Sequence, residues 1–82
     1  MSVSAAKLDN RDVYEVSYDT AACEGDLIEA TFENQNDGDK SVYKGANDGK
    51  FVVTVDAGFK GTDIVTVTGS VGGSDTGTIE FG

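Results

Sequence analysis

The sequence predicts an all-β fold, a small antiparallel β-sandwich of about six to seven strands, on three observations. Val, Ile, Thr and Phe recur with a period of two in several short runs, as on half-buried strands. Turn sequences that contain glycine separate these runs every ~8–12 residues. Helical signal is limited to one turn that Thr20 could cap and that Gly25 ends.

Each run supports a strand through the residues that share a face. Asp26–Glu33 places Ile28, Ala30 and Phe32 together, with Leu27 and Glu29 on the opposite face. The remaining strands are predicted at Val13–Tyr18, Lys50–Asp56, Thr62–Gly69 and Thr76–Phe81, with a short, weaker one at Ser41–Lys44. The phenylalanines on the inward faces are expected to form the core: Phe32, Phe51 and Phe81.

The 82 residues provide for one domain. Residues 1–10 are expected to form a flexible N-terminal arm, because the segment to about Leu8 lacks periodicity, and residues 11–82 the domain itself. The N-terminal segment lacks the pattern of a signal peptide, and no apolar run approaches the ~20 residues of a membrane span, so synthesis in the cytoplasm is expected.

The charge of the chain disfavours two classes of partner. Fifteen acidic residues against six basic ones give a net charge of −9, which repels nucleic-acid phosphates and anionic membranes. The acidic residues are interpreted mainly as a means of keeping a small domain soluble. The other interpretation is that they face a basic partner.

The residue types needed for common catalytic sites are missing. The chain has no His and one Cys, so a Ser-His-Asp triad or a zinc site cannot be built from it. No phosphate-binding glycine motif occurs, and Glu29 and Glu33 are exposed strand carboxylates rather than an acid pair in a cleft. The sequence therefore predicts no enzyme activity and no cofactor. Cys23 is predicted to be a small buried side chain, since Glu24 beside it disfavours a thiolate.

The acidic loop Asn34–Asp39 clusters oxygen ligands around Gly38. It departs from the spacing of an EF-hand, and Asn, Asp and Gly are also the residues that tight turns select. A plain turn is the favoured interpretation, a weak cation site the alternative.

A contact surface for a partner is predicted from residues that the core does not need. Lys40, Lys44 and Lys50 surround the weak strand and are suited to guarding a sheet edge against unwanted pairing. Aromatic residues outside the expected core are candidate anchors, although Phe59 is interpreted first as a plug at one end of the sandwich and as an exposed anchor in the alternative. The residues predicted to bind a partner are Arg11, Tyr14, Tyr43, Lys44 and Phe59.

The second half of the chain resembles bacterial and phage immunoglobulin-like domains. The resemblance rests on the turn Ala57-Gly-Phe-Lys-Gly-Thr62, the strand Val65-Thr-Val-Thr-Gly69, and the glycine-rich hairpin that leads to Phe81. Glu24-Gly25-Asp26, before the strand that contains Ile28, is similar to the family's usual entry into the second strand. The cysteine pair and the tryptophan of antibody domains are absent.

The resemblance implies an immunoglobulin-like sandwich and a structural role. Freestanding domains of this kind resemble accessory proteins of tailed-phage virions, which implies a capsid decoration protein located on the virion and bound to a capsid or other virion protein. Two alternatives are a carbohydrate- or calcium-dependent adhesion module that uses the acidic loops, with a host-surface glycan as partner, and an acidic inhibitor that imitates nucleic acid.

Overall fold

The computed structural model describes residues 2–8, 13–54 and 61–81, and these form an all-β protein. Seven strands are present in this part of the chain, in the order β1 Ser4–Leu8, β2 Val13–Ser17, β3 Leu27–Asn34, β4 Lys40–Ala46, β5 Lys50–Thr54, β6 Gly61–Gly69 and β7 Ser74–Phe81. A single 3₁₀ turn, Thr20–Ala22, follows β2. No helix in the described ranges is long and apolar enough to cross a membrane.

The strands form two antiparallel sheets that pack face to face, which confirms the predicted sandwich. One sheet has the order β1-β2-β5 and the other the order β4-β3-β6-β7. The strands β2 and β5 are neighbours in one sheet, and β3, β6 and β7 are neighbours in the other. This arrangement matches immunoglobulin-like sandwiches, in which strands B and E lie in one sheet and strands C, F and G in the other. The strands at the sheet edges are therefore β1, β4, β5 and β7.

The core lies between the sheets and contains the side chains that alternation assigned to the inside. Val16, Ala30, Val65 and Val67 are fully buried, and the three predicted core phenylalanines are also buried. Aromatic rings meet across the core, with Phe32 and Phe51 edge to face at 6.2 Å between ring centroids. Cys23 is buried in the same cluster, as predicted.

The N-terminal segment differs from the flexible arm predicted for residues 1–10. Residues 4–8 form β1, which pairs with β2 from Ser4 opposite Ser17 to Leu8 opposite Val13. Val3 is buried, and its carbonyl oxygen lies where a Cβ at position 77 would be, so Gly77 is required for this close approach. The described part of the segment is thus an edge strand whose first residues close the core beside β7.

Two local features also differ from the sequence prediction. Asp19 rather than Thr20 caps the 3₁₀ turn, since its carboxylate accepts a hydrogen bond from the Ala21 amide at 2.9 Å. The strand predicted at Ser41–Lys44 extends over Lys40–Ala46, because its pairing with β3 continues from Lys40 opposite Glu33 to Ala46 opposite Leu27. Propensity is weak along this strand, and the neighbouring backbone supplies the missing stabilisation.

Candidate binding edge

The most distinctive surface is the side of the sandwich where β4 and β5 run along the edges of opposite sheets. We call this surface the lysine edge and define it as residues 40–46 and 50–54. Each of its strands pairs with one neighbour only, β4 with β3 and β5 with β2, in the part of the chain that the structure describes. It therefore presents two strand edges to a partner.

Apolar side chains are exposed on both strands of the lysine edge. Val42 on β4 is 55% exposed and Val52 on β5 is 51% exposed. Between the strands lies a shallow groove of about 250 Å³, which reaches inward to the core residue Phe32. Exposed aliphatic side chains beside a groove are typical of surfaces that a partner covers.

Tyr43 lines this groove and also packs against the core. Its ring stacks on Phe51 with centroids 4.3 Å apart and planes 7° from parallel, so the two sheets meet through this pair. The hydroxyl end of the ring lies over Gly45, where a Cβ would collide with it. Glycine at position 45 thus allows the ring to lie flat along the strand, half-buried.

The crossing from β4 to β5 is held by side-chain hydrogen bonds. Asn47 donates to the carbonyl oxygens of Cys23 and Gly25, both at 2.9 Å, and accepts from the Tyr18 hydroxyl at 2.8 Å. The Tyr18 amide also donates to the carbonyl of Gly49. These bonds tie the connection between the two edge strands to the body of the sandwich.

Positive charge is concentrated at the lysine edge. Residues 40–54 contain three of the six basic residues of the chain and one of its fifteen acidic residues. Lys40, Lys44 and Lys50 are all exposed. On the outer face of the larger sheet, Lys44 and Lys40 lie opposite Glu29 and Glu33 of β3, whereas Lys50 lies opposite Ser17. The edge thus contrasts with the acidic remainder of the chain.

The five residues predicted to bind a partner do not form one surface. Tyr43 and Lys44 lie on the lysine edge, but with side chains on opposite faces of β4. The prediction that Tyr14 contacts a partner is wrong, because Tyr14 is only 7% exposed and its ring packs edge to face against Phe81 with centroids 4.9 Å apart. Arg11 and Phe59 lie outside the described residues.

No family model, no curated protein and no solved structure matches this chain.

Sequence reasoning missed Val42 and Val52 as exposed apolar residues. The signal was available for Val52, because Phe51 was assigned to the inside and the next residue on a strand must face outward. For Val42 it was weaker, since the strand was too short in the prediction to show which face Tyr43 occupies. Valines within a β pattern are ordinarily assigned to the core.

The acidic loop uses its oxygen atoms to hold a turn. The Asn34 side-chain oxygen accepts hydrogen bonds from the amides of Asn36 at 2.9 Å and Asp37 at 3.3 Å. The Asp37 carboxylate accepts from the Asp39 amide at 2.9 Å. Across the described ranges, no group of three His, Cys, Asp or Glu side chains is arranged to hold a metal ion. These bonds agree with the plain-turn interpretation.

Two buried carboxylates have opposite electrostatic environments. Burial raises the pKa of Asp63, and a 3.0 Å hydrogen bond from the Asn34 amide group opposes this only in part. Hydrogen bonds hold the pKa of Asp75 well below its ordinary value, first from the terminal amine, then from Ser2 and from the Asp19 amide. The Ser2 hydroxyl and the Asp19 amide bind Asp75 at 2.6 and 2.9 Å.

Proposed function

We propose that this chain is a non-enzymatic binding module, a capsid decoration protein that attaches to the surface of a phage virion through the lysine edge. The observation that carries the proposal is the combination found there: two strand edges, two exposed valines and a local excess of lysine on an acidic chain. The virion is proposed as the location because the sequence resembles phage immunoglobulin-like domains.

The chemistry of the chain and its shape support a binding role over catalysis. The chain has no histidine. The described residues measure 33 × 27 × 19 Å, and their shortest dimension is about the thickness of two packed sheets. A capsid presents the same site many times over, so a modest contact per copy is sufficient for dense coverage when several contacts act together.

The proposed partner surface combines apolar and acidic groups. Val42 and Val52 would supply the apolar contact, and the three lysines would orient the chain by attraction to carboxylates. Because exposed charges are screened by salt, binding through the lysine edge should weaken as ionic strength rises.

The test is co-sedimentation of the purified chain with phage heads assembled without it. We expect wild type to co-sediment and Val52→Glu to bind at least about tenfold more weakly, because the new charge is desolvated in the contact. Val71→Glu is the matched control: Val71 is 74% exposed in the turn before β7, and its substitution should leave binding unchanged.

Two results would contradict the proposal. If wild type fails to co-sediment with heads, the virion role is wrong. If Val52→Glu binds as well as Val71→Glu, the lysine edge is not the contact surface. Binding to glycans that depends on calcium, without binding to heads, would favour the adhesion alternative instead.

A further inference from the structure

The four edge strands differ in how they are protected against pairing with another chain. β1 carries Lys7, β4 carries Lys40 and Lys44, and β5 begins at Lys50. β7 has no lysine, no arginine and no proline, and with eight residues it is the longest edge strand within the described ranges. An inward-pointing charge, here Asp75, is one protection of a sheet edge, and lysine, proline and short length are three others. β7 lacks all three.

The outward face beside this edge is uncharged over most of its length. The outward residues of β7 are Ser74, Thr76, Thr78 and Glu80, of which only the last is charged. Next to them, on the neighbouring strand, Thr66 lies opposite Thr76 and Ile64 opposite Thr78. On a chain with a net charge of −9, a neutral strip of this kind is a local exception.

The N-terminal segment covers only part of β7. Ser2 and Val3 contact Asp75 and Gly77, whose side-chain positions face inward. A depression of about 420 Å³ at this edge is lined by Val3, Ile64, Thr76, Gly77 and Thr78. No backbone hydrogen bond joins β7 to a strand other than β6 among the described residues.

We propose that β7 is a self-association edge, at which a second copy of this chain pairs antiparallel to form one continuous sheet across a two-fold axis. The proposal is independent of the function assigned to the lysine edge, whose strand β4 forms the opposite edge of the same sheet. A two-fold contact requires a self-complementary strand.

The sequence of β7 meets this requirement. In an antiparallel pair, the side chains of two residues that lie opposite each other point to the same face of the sheet. The two-fold axis that relates two copies of β7 must therefore pass at a residue and not between two residues. With the axis at Gly77, Thr78 or Ile79, Glu80 faces a hydroxyl residue of the second copy, respectively Ser74, Thr76 or Thr78. None of these arrangements places two carboxylates opposite each other, which would be unfavourable.

The net charge predicts how the dimer responds to salt. Two chains of −9 repel each other at long range, and added salt screens this repulsion while leaving backbone hydrogen bonds intact. The dimer should therefore tighten as ionic strength rises. Attachment through the lysine edge should weaken under the same change, so the two proposals give opposite salt dependences and can fail separately.

The experiment is sedimentation velocity of the chain over a range of concentrations at low and at high salt. We expect a monomer–dimer equilibrium that shifts toward dimer in high salt. Thr78→Glu should weaken the dimer at least about tenfold, because it brings carboxylates together near the axis. Thr68→Glu is the matched control: it adds the same charge to the same face on the interior strand β6 and should change dimerisation by less than about threefold.

Cross-linking gives a second readout that does not depend on a destabilising charge. When the axis passes beside Thr78, the two copies of this residue face each other, and Thr78→Cys should then form an intermolecular disulfide on mild oxidation, whereas Thr68→Cys should not; the native Cys23 is buried in both. The proposal is overturned if the chain stays monomeric up to about 1 mM in high salt. It is also overturned if Thr78→Glu dimerises like Thr68→Glu.

Discussion

At the scale of single residues, the two buried aspartates show how the same side chain can stabilise or weaken one fold. Asp75 is buried but accepts hydrogen bonds from the start of the chain and from the residue before the 3₁₀ turn. Asp63 is equally buried, at 2% exposure, and its hydrogen bond comes from Asn34. A charged group out of water is tolerated when several donors surround it, and costs free energy when few do.

We expect the same substitution to have opposite effects at these two positions. Asp75→Asn should lower the free energy of unfolding at pH 7 by about 2 kcal/mol, since it removes charge-assisted hydrogen bonds. Asp63→Asn should raise it, because Asn keeps an acceptor for the Asn34 amide and removes a buried charge. Chemical denaturation of the two variants and wild type measures both changes.

The pH dependence follows from the directions of the pKa shifts. The pKa of Asp75 is lowered from 3.8 in the folded state, so its contribution is present above that value and is lost as the pH falls below it. The pKa of Asp63 is raised from 3.8, so its folded state is favoured at low pH and loses stability as the pH rises through the raised pKa. Asp75→Asn should therefore lose the fall in stability toward low pH. If Asp63→Asn lost it instead, these assignments would be wrong.

At the scale of elements, alternation was sufficient to predict β3, β6 and β7 but not β1. The inward residues of β3 are Ile28, Ala30 and Phe32, and the same pattern of burial can be read from the sequence. β1 has four of its five residues exposed, so it has no apolar face to read. Its position depends on backbone pairing with β2 and on contacts with residues 73 positions away, which no local pattern reveals.

The contact between the first and last strands gives a test at this scale. Gly77→Ala should lower the free energy of unfolding by about 1–3 kcal/mol, because the new Cβ collides with the Val3 carbonyl and the N-terminal segment must shift. Thr78→Ala, next to it but exposed, should change stability by less than about 0.5 kcal/mol. Equal stabilities for the two variants, measured by chemical denaturation, would show that the segment does not lie against β7.

The candidate binding edge was only partly predictable for a related reason. Lys44 and the guarding role of the lysines could be proposed from composition, since an edge strand without proline needs charge. Tyr14 shares a strand face with Val16, so alternation indicated its burial, whereas its contact with Phe81 at the far end of the chain could not be read from the sequence. The groove lies between β4 and β5, and hydrogen bonds of Asn47 tie their connection to residues more than twenty positions away.

At the scale of the whole molecule, charge opposes compactness. A net charge of −9 on 82 residues produces self-repulsion that a thin core must overcome. Neutralisation is local, as where Lys44 lies opposite Glu29 on the outer face. Salt should therefore stabilise the fold even though it weakens the individual ion pairs.

We expect the melting temperature to rise by a few °C, on the order of 1 kcal/mol, between low salt and about 0.5 M NaCl. Lys44→Glu makes the net charge more negative by two units and should increase this gain, whereas Glu29→Lys makes it less negative by two units and should reduce it. Calorimetry at a concentration where wild type is monomeric measures all three. A melting temperature that falls with salt would show that specific ion pairs outweigh the general repulsion.

Because the single thiol of the chain is buried, its reactivity can report when the folded structure opens. Cys23 lies in the core with its sulfur 3.4 Å from the Val67 carbonyl oxygen, and burial, with the nearby charge of Asp75, raises the pKa of the thiol. A thiol reagent can therefore reach it only when the structure around Cys23 opens. Since the chain has no tryptophan whose fluorescence could be followed, labelling of Cys23 offers a way to detect rare openings of the native protein.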